Sequence, residues 1–182
     1  MQKKSLNKSL KPAHQRNTKT RYIVSIAISG FLLLIDQWIK YIVTNHPKNP
    51  IYLIKPWLGF EHFNNPGIAF GISIPNTIIV ILSPPLIFAL GYYLIKTNKT
   101  TLHTIGTMIL LFGATSNLID RIIFGITIDY LRIYTSIINI ADAMITAGAI
   151  GILFSDVYNK HTHNNKQGGI CTQKSTPPLL SD

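Results

Sequence analysis

Four stretches of this chain approach the length that a helix needs to cross a bilayer, about 20 apolar residues. They are Tyr22 to Val43, Thr77 to Ile95, Leu102 to Leu118 and Ile137 to Tyr158. In hydrocarbon, backbone N–H and C=O groups must be satisfied within the segment, so such stretches fold as helices. Composition agrees: 47% of the 182 residues are hydrophobic and 13% are charged, against roughly 25% charged in an average soluble domain. The expected fold is integral membrane and mainly α, with four transmembrane helices in one domain and a small extracytoplasmic β-sheet. Pro84-Pro85 should kink the second helix, and Gly106, Gly113, Gly148 and Gly151 let helices approach closely.

Charge sets the expected orientation. Residues 1–21 hold seven Lys/Arg (Lys3, Lys4, Lys8, Lys11, Arg16, Lys19 and Arg21) and no acid. A basic arm can mean nucleic acid, but this one abuts an apolar span. The positive-inside rule accounts for it, and no nucleic-acid partner is expected. Lys96 and Lys99 between spans two and three, and Lys160, Lys166 and Lys174 in the tail, place the same side in the cytoplasm. Both termini are thus expected to be cytoplasmic. The first span is too long for a signal-peptide core and no small-residue cleavage site follows it, so it should stay as an anchor. The outward connections are 44–76 and 119–136. In the first, Ile51–Ile54 and Phe60–Phe63 have strand composition, punctuated by Pro50, Pro56 and Gly59, and Asn64-Asn-Pro-Gly67 signals a turn. A small sheet on the outer membrane face is predicted there. The division is a basic cytoplasmic tail, 1–21, a membrane domain, 22–158, and a polar cytoplasmic tail, 159–182. Residues 1–20 and 160–182 should be disordered.

Asp142 lies in an otherwise apolar stretch, where a carboxylate costs a few kcal/mol at least and points to function. Asp129 stands 13 positions earlier, and the chain has only seven acidic residues. At about 1.5 Å of rise per residue, Asp36, Asn117 and Asp142 all fall in the outer third of a core about 30 Å thick. Asp120, Arg121 and Asp129 are expected on the outer connection just above. Asn139 and Asp142, at i and i+3, share a helix face, as do Asn117, Asp120 and Arg121. Polar residues of three helices therefore converge near the outer face.

Two carboxyls a few ångströms apart share a proton. The charged one is a base for water, and the protonated one can donate to a carbonyl oxygen. The structural alternative is that Asp129 caps or pairs locally with Arg132 while Asp142 is a buried structural polar group. Asp36 and Lys40, at i and i+4, read as an ion pair near a helix end with Lys40 snorkelling outward, or else as a substrate contact. Asp120-Arg121 reads as an end-of-helix charge pair, with Arg121 able to hold a phosphate or a carbonyl. Asn65-Pro-Gly-Ile-Ala-Phe70 is either a turn or a clamp presenting Asn65 to a peptide backbone, with Phe70 on the lipid side. Trp38 and Trp57 fit interfacial anchors. There is no His-Glu-x-x-His, no Gly-x-Ser-x-Gly, and one cysteine, Cys171. No metal site, cofactor or disulfide is expected.

Five segments in this order resemble bacterial lipoprotein signal peptidase, signal peptidase II: Asp36-Gln-Trp-Ile-Lys40, Asn65-Pro-Gly-Ile-Ala-Phe70, Gly113-Ala-Thr-Ser-Asn-Leu-Ile-Asp-Arg121, Ile128-Asp-Tyr130 and Asn139-Ile-Ala-Asp142. The resemblance implies an aspartyl endopeptidase of the bacterial inner membrane, without a metal. Its substrate would be a prolipoprotein carrying diacylglycerol on its cysteine, cut just before that cysteine. Asp129 and Asp142 would be the catalytic dyad. Asn65, Asn117, Arg121 and Asn139 would surround it, with Asp36 and Lys40 in the helix-one motif. The partners implied are lipidated prolipoproteins and membrane lipid, and a monomer is expected. Three residues depart from the family pattern: Ser116 for glycine, and Tyr130 and Ile138 for phenylalanine. They soften the local packing match and leave every acid in place. The competing reading is a small proton- or cation-coupled transporter, which would put acids near the midplane with a path to both faces.

Overall fold

The computed structural model describes residues 13–46, 50–67, 74–97 and 100–172, with side chains described between 19 and 160. Lys3, Lys4, Lys8, Lys11, Lys99, Lys174 and Phe70 lie outside the described residues, as do the side chains of Arg16, Lys166 and Cys171. Among the described residues, four helices are long and apolar enough to cross a membrane: α1 (Ala13–Asn45), α2 (Asn76–Lys96), α3 (Thr101–Phe124) and α4 (Ile140–Thr172). The polar ends 13–20 and 160–172, expected to be disordered, continue α1 and α4 as helix. Intrahelical hydrogen bonds propagate cheaply once a helix is nucleated, so a polar sequence can extend it. Helix α2 runs unbroken through Pro84 and Pro85. Its outward side chains, such as Phe88 and Ile95, are 75% exposed, as an apolar medium requires.

Helix α3 is the hub, packing on α1, α2 and α4. Its contact with α4 depends on glycines. A Cβ on Gly148 would stand 2.5 Å from the Gly106 carbonyl oxygen, and one on Gly113 would stand 2.7 Å from that of Ala141. The second contact seats the first turn of α4 directly on α3.

The sheet is larger than the sequence predicts. Strands β1 (Ile51–Ile54) and β2 (Leu58–Asn65) come from the first connection, β3 (Thr127–Ile133) and β4 (Ser136–Ile138) from the second. They form one antiparallel sheet in the order β1-β2-β3-β4. In the β2–β3 register, Phe63 pairs with Asp129 and Asn65 with Thr127. Asp129 therefore sits on a strand, where the ladder fixes its direction, and not on an irregular loop. Helix α3 also outruns its apolar window. It ends at Gly125, whose φ of 75° forms a left-handed C-cap, so Asp120 and Arg121 are helical residues.

Candidate active site

The sequence-predicted polar residues meet where the sheet sits on the bundle. Asn139 is their centre and is fully buried. Its Nδ2 donates to Asp129 Oδ1 at 2.7 Å, and more weakly to Asn117 Oδ1 and the Ile128 carbonyl. Its Oδ1 accepts the Asp142 backbone N–H at 2.8 Å, while its own N–H approaches Asp142 Oδ2 at 3.5 Å. This is the reciprocal arrangement of a capping box, with Asp142 in the first turn of α4. One asparagine thus holds both carboxyl-bearing residues.

Each acid has a second amide. Asn65 Nδ2 donates to Asp129 Oδ2 at 2.9 Å, and Asn117 Nδ2 donates to Asp142 Oδ1 at 2.8 Å. The Asn65 Oδ1 also accepts the Gly67 N–H at 3.0 Å, so the predicted turn is present and Asn65 serves it as well as Asp129. Burial pushes the Asp129 carboxyl up to about 7. Asn65 pulls it back, the Asp142 charge pushes it further, and Lys40 and Asn139 oppose the rise. The local alternative, Asp129 paired with Arg132, is not what forms. Arg132 Nε instead lies 2.5 Å from Glu61 Oε2 across the sheet. Tyr52 donates to the same oxygen, and Arg132 first of all holds the Glu61 carboxyl below its ordinary range.

Beneath the two acids lies a dry ionic network. Lys40 Nζ is 2.7 Å from both Asp36 Oδ2 and Asp120 Oδ2, with Lys40 only 2% exposed and both acids fully buried. The expectation that Lys40 snorkels outward fails because α3 brings Asp120 to meet it. For the same reason Asp120 does not pair with its neighbour Arg121. Lys40 also donates to Asn117 Oδ1 at 3.1 Å, which links the network to Asp142. Arg121 turns the other way and its Nη2 donates to the Gly67 carbonyl, while Asn76 holds the Arg121 carbonyl at 3.1 Å. Among the described residues, the buried Arg121 Nη1 has no hydrogen-bond partner.

Three contributors are missed by sequence reasoning. Gln37 Nε2 reaches Ser116 Oγ and Asp120 Oδ1. Its signal was a polar residue next to Asp36 inside an apolar span. Ser116 and Tyr130, expected only to soften packing, both donate through their hydroxyls to Asp36, at 2.7 and 2.8 Å. Of the anchor residues, Trp57 stacks on Tyr134 with ring centroids 4.4 Å apart. Among the described residues, no three of His, Cys, Asp or Glu gather as a metal-binding group.

Comparison with known proteins gives this geometry its setting. The family described as signal peptidase (SPase) II matches residues 28–158. A lipoprotein signal peptidase of Staphylococcus aureus is 34% identical over 152 residues, 79% of this chain and 92% of that one. Another, from Mesorhizobium japonicum, is 35% identical over 136 residues, 69% of this chain and 80% of that one. Among solved structures, a bacterial membrane enzyme determined by the in meso method aligns with a TM-score of 0.70 at 26% identity, covering 86% of this chain and 94% of the other. A second such enzyme aligns at 0.64 and 31% identity, covering 72% and 90%. None of these likenesses favours a transporter. With the motif-bearing core matched from end to end, the chain belongs to the signal peptidase II family.

Proposed function

We propose that Asp129 and Asp142 are the catalytic dyad of an aspartic endopeptidase that removes signal peptides from diacylglyceryl-modified prolipoproteins, cutting just before the lipidated cysteine. Cleavage of lipoprotein signal peptides is the activity of the family, and this chain is a bacterial membrane peptidase. The observation that carries the aspartic reading is the Asn139 bridge, which holds Asp129 by a side-chain bond and Asp142 by its backbone.

The chemistry follows from one shared proton. With burial raising the Asp129 carboxyl to about 7, the pair keeps a shared proton up to about neutral pH. The ionised carboxyl takes a proton from water, whose oxygen attacks the scissile carbonyl. The protonated carboxyl donates to the carbonyl oxygen, giving a neutral tetrahedral gem-diol. Its collapse breaks the C–N bond as the proton taken from water goes to the leaving amine and a gem-diol hydroxyl returns its proton to the other carboxyl, restoring the shared proton. The products are a signal peptide with a new carboxylate and a lipoprotein whose cysteine has a free amine. Asn65 and Asn139 hold Asp129, Asn117 holds Asp142, and Asp36 and Lys40 stabilise the floor beneath them. Arg121 anchors Gly67, two residues after Asn65, through its carbonyl. We place the site at the outer face, with both termini cytoplasmic, the substrate entering from lipid, and the protein acting as a monomer. Residues 1–21 and 159–182 flank the working domain, 22–158.

The direct test is incubation of the purified protein with a diacylglyceryl-modified prolipoprotein and mass measurement of the product. The parent should release a fragment ending just before the lipidated cysteine. Asp129→Asn and Asp142→Asn should each stay folded in the membrane and release none. Near-normal product from either variant removes the dyad assignment.

A further inference from the structure

Tyr130 follows Asp129 in β3, and neighbouring strand residues point to opposite faces. It is 1% exposed. Its hydroxyl donates to Asp36 Oδ1 at 2.8 Å and accepts the Ile140 backbone N–H at 3.1 Å. One oxygen atom therefore joins three elements: β3, which carries Asp129, the first turn of α4, which carries Asp142, and α1, which carries Asp36.

The first turn of a helix leaves its N–H groups without intrahelical partners. In α4, side chains from three places take them. Tyr130 takes that of Ile140, Asp36 Oδ1 that of Ala141 at 3.3 Å, and Asn139 that of Asp142 at 2.8 Å. Asp36 is in turn fully committed, with Lys40 and Ser116 on Oδ2 and Tyr130 and Ala141 on Oδ1. A phenylalanine ring would fill the same space. It would leave the Ile140 N–H without this acceptor and a buried carboxylate oxygen with one donor fewer, a loss that buried groups do not recover from water.

We propose that Tyr130 is a positioning residue of the dyad: by bridging the Asp36 carboxylate and the Ile140 N–H, its hydroxyl fixes the first turn of α4, and with it Asp142, opposite Asp129. This inference rests on the dyad reading above. A loosened turn misplaces one carboxyl against the other, while Tyr130 itself, 1% exposed, has no surface to offer a substrate. The signature is therefore a fall in kcat with KM preserved.

The test uses the full chain in detergent micelles with lipidated prolipoprotein, measuring kcat, KM and the pH–rate profile. Tyr130→Phe should lower kcat about tenfold, as misplaced reacting groups do, with KM within about twofold and the pH profile displaced. Ile140→Pro removes the donor from the other side, at a first helical position where proline is tolerated. It should act in the same direction, and the double variant should be no worse than Tyr130→Phe alone. Asp142→Asn, run alongside, keeps the two readings apart: activity in that variant sinks the dyad itself. Parental kcat in Tyr130→Phe, parental kcat in Ile140→Pro, or losses that multiply in the double variant each overturn the positioning role. If Tyr130→Phe does not accumulate, Ile140→Pro decides alone, a parental kcat overturning the role and a lowered kcat with preserved KM supporting it.

Discussion

Lys40 Nζ stands 2.7 Å from Asp120 Oδ2, joining α1 to α3 where neither side chain meets solvent. A cation that is 2% exposed would be untenable alone, and it is held because Asp36 and Asp120 both face it. Such a network contributes little against an apolar replacement of all its members, but breaking it from one side leaves charge uncompensated.

Lys40→Met is therefore expected to destabilise the protein by about 3–5 kcal/mol, because two buried carboxylates lose their counter-ion. Thermal unfolding in detergent reads this directly. Lys40→Met combined with Asp120→Asn should recover part of the loss. A single variant that melts with the parent would show that the network carries no net stability.

Asn139→Ala removes the group that touches both acids. Hydrogen bonds to charged groups are worth about 1.5–3 kcal/mol, and each 1.36 kcal/mol on a barrier is about tenfold in rate. The expected outcome is a fall in kcat of roughly 10- to 100-fold, with the protein still accumulating in the membrane. An unchanged kcat would mean that the Asn139 bridge is only a helix cap.

The pH dependence has a definite sign. Asp129 is raised from its ordinary value to about 7. On the proposed dyad reading, the folded protein holds the shared proton below that pH and loses it above. Cleavage should fall on the alkaline side with a midpoint near 7. Stability follows the same proton. The folded state binds it more tightly than the unfolded chain does, so this contribution is complete below the ordinary carboxyl range and disappears as pH rises through about 7. A rate that keeps rising with pH past that point would exclude a proton-sharing pair containing Asp129.

The helices were legible because bilayer-length apolar runs have few alternatives, but Asn139 and Asp142, expected to share a helix face, meet instead as a capping box, with Ile137 and Ile138 in β4 and Asn139 just ahead of α4. Hydropathy marks where a helix is apolar, however, and not where it ends. Reading α3 only to Leu118 put Asp120 on a connection and hid its pairing with Lys40, although Gly125 carries the true stop. The pairing of strand β3 was illegible for another reason. Thr127, Ile128, Tyr130 and Ile133 suit a strand and β4 follows at once, but the pairing that places Asp129 is with β2, more than sixty residues earlier, and no local pattern gives that register. The Tyr130 hydroxyl meets Asp36 across 94 positions, so a one-atom departure from the family pattern looked like altered packing when it is a buried hydrogen bond.

Orientation is testable with the single cysteine, Cys171. Seven positive charges before residue 22 and an even number of crossings predict that both termini are cytoplasmic. In intact spheroplasts Cys171 should resist a membrane-impermeant thiol reagent and react after lysis. Labelling before lysis would invert the protein and move the site to the inner face.

Asn65 distinguishes two ways of assisting the dyad. If it clamps substrate, Asn65→Ala raises KM and leaves the acids alone. The structure gives its Nδ2 a partner already, Asp129 Oδ2 at 2.9 Å, and that bond pulls the Asp129 carboxyl down against burial. Removing it should let Asp129 rise further, so the alkaline limb of the pH–rate profile moves to higher pH. A net hydrogen bond of about 0.5–1.5 kcal/mol, or more where the partner stays buried, makes the loss of cleavage efficiency roughly tenfold or greater. Normal amounts of protein should remain in the membrane, because the β2–β3 ladder pairs Asn65 with Thr127 through the backbone. A limb that moves with a falling kcat assigns Asn65 to the dyad. A stationary limb with a raised KM returns it to the substrate, and activity within about twofold of the parent leaves it only the turn at Gly67.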